Sequence, residues 1–164
     1  MKRILSFLLV RALCLCFVVP SFAAETVSQQ NDKIIVSVSE KNLGNGFKMR
    51  TVISIPKTGK SIHSNTSTQT KTASATSTVR HDGTWVGSIT LTANFGYNRS
   101  SAWVNRMSTS HRIASGWTYK NERTWKSGGT ANMSASMSKK LGFIPITTVD
   151  PSVSITCSPT GQIS

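Results

Sequence analysis

An all-β fold is what this sequence predicts: an antiparallel β-sandwich, with a β-barrel as the alternative closure. Three observations carry the prediction. Apolar and polar residues alternate with a period of two along most of the chain beyond residue 32. No stretch there carries the apolar stripe of an amphipathic helix. Turn signals of Gly, Asn, Asp and Pro return roughly every ten residues, giving seven to nine short strands.

The start of the chain lies outside that domain. Lys2 and Arg3 precede a run from Ile4 to Val19 that is apolar except for Ser6 and Arg11, and Pro20 breaks it. Ser21 and Ala23 then place small residues where a signal peptidase reads them, which predicts a secretory signal peptide over 1–23. Cleavage after Ala24 would put bulky Phe22 at a position that wants a small side chain. A membrane-spanning helix needs roughly 20 mostly apolar residues, and Arg11 interrupts a run already shorter than that. Cys14 and Cys16 follow Leu13 and Leu15 rather than small residues, which argues against lipidation. The expected location is therefore secreted, extracellular or in the cell envelope.

Taking 23 residues from 164 leaves 141, enough for one domain and too little for two good cores. Lys2, Arg3 and Arg11 leave with the signal, so the formal charge falls from +13 to +10. The excess is spread thinly, and the basic arm typical of nucleic-acid binders is missing. A diffuse positive field favours polyanionic surroundings: wall polymers, anionic lipid headgroups or acidic glycans. Cys157 is the one cysteine left, so no internal disulfide can form. Its place in the alternating Val153–Cys157 predicts a buried small hydrophobe.

The elements follow in order. Residues 24–32 form a flexible N-terminus. Lys33 to Ser39 and Phe47 to Ile55 are strands joined through the Asn and Gly residues of 42–46, and Pro56 to Gly59 ends the second. The Ser/Thr tract 61–78 divides into a loop and then an exposed or edge strand. Thr84 to Tyr97 is the clearest strand, with Trp85, Gly87, Ile89, Leu91, Ala93, Phe95 and Tyr97 on one face. Its length calls for a bend or bulge at Gly87 or Gly96.

Asp82-Gly83 before this strand is a two-residue hairpin signal. That loop pairs Arg80 with Trp85 and sets an apolar face beside a Thr/Arg face; a loop longer by one residue flips the register. Both registers stay open. After the turn at 98–101, Trp103, Met107, His111 and Ile113 share a parity. Trp117 to Trp125 follows Ser115-Gly116, and Ala131, Met133, Ala135 and Met137 alternate after Gly128-Gly129. Phe143–Ile146 and Val153–Cys157, separated by Asp150-Pro151, complete the set.

No catalytic motif, metal-ligand spacing or cofactor fingerprint is present, so neither an enzyme nor a cofactor is expected. Glu40 and Glu122 have no obvious turn role, and His63, His81 and His111 stand singly. An extracellular hydrolase would need His81, His111 or Glu122 to converge in a cleft. The aromatic interleaving of 116–126 supplies the candidate binding site: Trp117, Tyr119, Lys120, Arg123, Trp125 and Lys126. Trp117, Tyr119 and Trp125 share strand parity. Facing outward they form a stacking platform with cationic flanks, and facing inward they are sandwich core. Asn65, Asn98 and Asn132 begin N-x-Ser/Thr triplets, frequent by chance in so Ser/Thr-rich a chain.

The layout resembles small exported β-rich proteins of Gram-positive bacteria. Leu91-Thr92-Ala93-Asn94-Phe95-Gly96-Tyr97 and Val153-Ser154-Ile155-Thr156-Cys157-Ser158-Pro159-Thr160-Gly161 carry the likeness. It implies no activity and brings no functional residues with it. The expected role is non-catalytic binding of an anionic wall polymer, a glycan or a protein, with nucleic acid disfavoured. The alternative is an antimicrobial or membrane-active protein whose 131–137 segment joins a barrel at a membrane surface.

Overall fold

Alternation becomes nine strands: β1 Lys33–Gly44, β2 Phe47–Pro56, β3 Gln69–His81, β4 Thr84–Tyr97, β5 Ala102–Ile113, β6 Trp117–Ser127, β7 Thr130–Leu141, β8 Ile144–Val149 and β9 Ser152–Thr156. The structure is a computed structural model that describes residues 32–57, 68–141 and 144–164. The expected signal peptide, nearly all of the flexible N-terminus, the loop half of the Ser/Thr tract and Phe143 fall outside the described residues.

The strands make a β-sandwich. One sheet is the five-stranded antiparallel meander β1-β2-β3-β4-β5. The other centres on β7, which pairs β6 along one side and, end to end along the other, β8 and β9. Neither sheet closes into a barrel. Consecutive positive φ angles at Asn45 and Gly46 (50° and 76°) and at Asp82 and Gly83 (47° and 80°) make two tight hairpin turns. Their twist matches that of the flanking strands.

The core lies between the sheets. Phe47, Met49 and Ile53 of β2, Ala73, Ala75 and Val79 of β3, and Ile89, Leu91, Ala93 and Phe95 of β4 face it from one side. Ala131, Met133, Ala135 and Met137 of β7, with Val153 and Ile155 of β9, face it from the other. Each fully buried Leu, Ile, Met or Phe contributes about 1.5–3 kcal/mol. Ser77 is buried in the same layer, with its hydroxyl 2.7 Å from that of Thr51, so its polarity is met. Cys157 is buried as expected, and burial raises its thiol pKa while nearby Lys71 opposes the rise.

Two expectations about β3 and β4 are corrected. The strand half of the Ser/Thr tract is central rather than exposed or at an edge, because β3 is paired on both sides. Its inward residues are small, so its buried face carries little apolar signal. The hairpin keeps the two-residue Asp82-Gly83 loop and also changes register. Arg80 opposes Trp85, but Val79 opposes Gly87, which leaves Val86 as an inserted residue. Val86 and Gly87 are both buried, so Trp85 lies on the opposite face from Ile89, Leu91 and Phe95. The conflict between an apolar face and a Thr/Arg face is resolved by this bulge at Gly87.

Candidate binding surfaces

The six residues of the expected aromatic platform do not form one surface. Along β6, Lys120 opposes Ser136 and Arg123 opposes Ser134, so one residue is inserted between them, and Asn121 takes a φ of 55°. The insertion inverts the parity of everything after it. Trp117 and Tyr119 lie on the inner side, opposite Lys139 and Met137. Trp117 meets Phe47 edge-to-face at 6.0 Å and packs against the core. Trp125 instead opposes Asn132 on the outer side and is 47% exposed. Lys126 points inward, where its Nζ donates to the carbonyl oxygens of Val104 and Asn105, each at 3.1 Å. Of the predicted set, Lys120, Arg123 and Trp125 remain on the outer face.

His111 and Glu122 do come together, and Tyr119 joins them. The Tyr119 ring stacks on His111 at 3.7 Å, and its hydroxyl donates to Glu122 Oε2 at 2.6 Å. Thr109 Oγ1 donates to Glu122 Oε1 at 2.5 Å. These two hydrogen bonds, aided by the charge of nearby His111, hold the Glu122 carboxyl below its ordinary value against a small opposing effect of burial. Burial, then the hydrogen bond to Glu122 and its charge, raise the Tyr119 phenol well above its ordinary value. Glu122 thus has both oxygens engaged and Tyr119 keeps its proton. The group clasps β5 to β6. His81 sits elsewhere, 4.3 Å from the Phe47 ring and 3.6 Å from Asp82 Oδ2.

The outer face of the five-stranded sheet holds residues whose grouping the sequence hides. On β3, Thr72, Ser74, Thr76 and Thr78 alternate with buried residues, and β4 presents Ser88, Thr90, Thr92 and Asn94 beside them. Ser74 and Thr92 are 2.9 Å apart and Thr76 and Thr90 3.0 Å apart, hydroxyl to hydroxyl. A chain of hydrogen bonds then crosses three strands. Trp103 Nε1 donates to Asn105 Oδ1 (2.8 Å), Asn105 Nδ2 to Asn94 Oδ1 (3.0 Å), and Asn94 Nδ2 to Thr72 Oγ1 (3.0 Å).

Trp103 lies flat over Gly96, where an added Cβ would come 2.5 Å from the ring. Arg106 and Arg112 extend this face on β5, Lys48 and Arg50 on β2, and Arg80 on β3. Glu40, 3.8 Å from Arg50, is the acidic residue beside them. Trp85 and Trp103 stand near opposite ends of the strip, roughly 35 Å apart at about 3.3 Å per residue. The signal in the sequence was the regular polar half of β3 and β4; the bulges at Val86 and near Asn105 obscured which aromatics shared it.

Two grooves are shallow. One of about 250 Å³ is lined by Leu43, Phe47, Thr148 and Asp150, and one of about 440 Å³ by Val36, Ile55, Lys71 and Ile163. Each has one titratable side chain in its lining, and the Lys71 amine donates to the Gly161 carbonyl at 2.6 Å. Among the described residues, no three His, Cys, Asp or Glu side chains group to hold a metal ion. Compared with family models, curated proteins and solved structures, the chain matches none.

Proposed function

We propose that this is a secreted or envelope-associated, non-catalytic binding protein whose ligand is an extended anionic polymer of the cell surface. The outer face of the five-stranded sheet carries the reading: five cations (Lys48, Arg50, Arg80, Arg106, Arg112) and one carboxylate, Glu40, share it with Trp85 and Trp103. A broad single-sign face attracts a polyanion along its length without a pocket. The hydroxyls and amides between the cations offer hydrogen bonds to sugar or phosphate oxygens, and an indole face stacks on a sugar ring. The membrane-barrel alternative receives less support, since Ala131, Met133, Ala135 and Met137 are already used in the core.

Retention of the protein on purified cell walls tests the proposal. Binding at low salt that falls steeply as ionic strength rises is the expected result. Arg106→Gln with Arg112→Gln should weaken it at least fivefold while leaving the fold intact. Absence of retention at low salt overturns the reading.

A further inference from the structure

Strand β1 runs for twelve residues and is covered on neither face. Every residue of Lys33–Gly44 except Leu43 is exposed. Among the described residues β1 pairs with β2 alone, so its other edge offers a row of backbone donors and acceptors. The register with β2 assigns its faces, because directly opposed residues share one. Ile34, Ser37, Ser39 and Lys41 oppose Ile55, Ile53, Thr51 and Met49, on the inner side. Lys33, Ile35, Val38 and Glu40 oppose Pro56, Ser54, Val52 and Arg50, on the outer side. Val36, inserted between Ile35 and Ser37, lines a groove with Ile55 and Ile163 and so also points inward. Asp32 precedes Lys33 and by alternation belongs to the inner side.

We infer that β1 is the interface of a symmetric dimer, in which it pairs antiparallel with β1 of a second copy about a two-fold axis between Val36 and Ser37. That axis sets Asp32 against the partner's Lys41, Lys33 against the partner's Glu40, and Ile35 against the partner's Val38. Symmetry repeats each pair, so oppositely charged pairs flank an apolar centre at both ends. The chain holds six acidic residues, and two of them fall where this pairing meets a lysine. The inserted Val36 is what permits the register. In an unbroken strand, residues three apart such as Ile35 and Val38 face opposite sides, and an axis between two residues would set inner against outer. With the insertion, every pair from 32 to 41 shares a face. An axis through Val36 would oppose Ile35 to Ser37, and one through Ser37 would oppose Val36 to Val38, outer against inner in both cases. The bulge and charges that turn other strands away from this edge therefore admit one register with the strand itself. Pairing joins the two five-stranded sheets into one continuous sheet, with the outer cations of both copies on the same side.

Sedimentation equilibrium of the purified protein from about 1 to about 200 μM tests the inference. No ligand is present, so the outcome is separate from what the outer face binds. A single strand pair is small for an interface, which places the dissociation constant at about 10–100 μM. Every chain compared shares the residues before 32, so differences between variants report β1. Val38→Lys brings a lysine beside Ile35 at each of the two apolar pairs and should raise the constant about tenfold or more. Lys41→Asp sets carboxylate against carboxylate twice and should raise it about tenfold, and adding Asp32→Lys should bring it back to within about threefold of wild type. These side chains are exposed in the protomer, so thermal midpoint and far-ultraviolet signal at the lowest concentration should stay unchanged. A misfolded variant would not be rescued by a second charge change. A monomer throughout the range overturns the inference and leaves the edge to a different strand. So does a dimer that Val38→Lys leaves intact, an assembly that grows beyond two copies, or a charge swap no better than Lys41→Asp alone.

Discussion

The two lateral edges of the sandwich are built in opposite ways. Where β5 lies beside β6, the sheets are fastened by side chains: Lys126 holds two β5 carbonyls, and Thr109, Glu122, Tyr119 and His111 interlock. At the other edge β1 is paired only with β2, and Ile34, Ile35, Val36 and Val38 are 39–49% exposed. A bulge between Ile35 and Ser37, with Lys33 and Lys41 on the strand, marks this edge as one protected by irregularity and charge rather than by cover. The contrast teaches that a sandwich can be fixed in register from a single side. The clasped edge should govern stability, and the open edge should tolerate change.

Gly87 offers the hardest blow to the clasped side. An added Cβ would come 2.8 Å from the Arg112 carbonyl oxygen, 2.9 Å from Ile113 Cδ1 and 3.1 Å from Met137 Sδ. Backbone cannot yield there, so Gly87→Val should destabilise by about 3 kcal/mol in urea unfolding. Lys126→Met comes next, at about 1–2 kcal/mol, because the part-buried Val104 carbonyl and the exposed Asn105 carbonyl lose their donor. A loss below 0.5 kcal/mol would show that the edges are equivalent after all.

Glu122→Gln should cost about 1 kcal/mol at neutral pH, discounted for the exposure of the site. Its pH profile sharpens the point. The folded carboxyl is held below its ordinary value, so its contribution is present above roughly pH 4.5 and is lost as pH falls through the folded value. Tyr119 is shifted upward, so its contribution is complete below about pH 10 and is lost only as pH rises beyond that. The gap between wild type and Glu122→Gln, followed by thermal midpoint, should therefore narrow in acid. At the open edge Val38→Lys should change stability by less than 0.5 kcal/mol, the smallest effect of the set.

The sandwich class and the existence of the strands were legible because β4, β7 and β9 alternate buried and more exposed residues over most of their length. Which aromatics share a surface was not legible, and the reason is the same in each case. One inserted residue at Val86, near Asn105 and around Asn121 inverts the parity that follows it, and such insertions leave the composition unchanged. Trp85 therefore left the row to which it was assigned, and Trp125 parted from Trp117 and Tyr119. The meeting of His111 with Glu122 was foreseeable only as a condition on their placement, since they belong to different strands joined across the seam.

The buried thiol of Cys157 gives the fold a clock. The chain beyond it doubles back, with Cys157 bridged to Ile163, Thr156 and Ser164 exchanging two backbone hydrogen bonds, and Lys71 tied to Gly161. A thiol reagent can reach so buried a sulfur only through an opening of the structure around it, so its reaction in native buffer times that opening, whereas full unfolding exposes it at once. Labelling rates that level off with reagent concentration would give the opening rate, and rates that stay proportional would give the opening equilibrium.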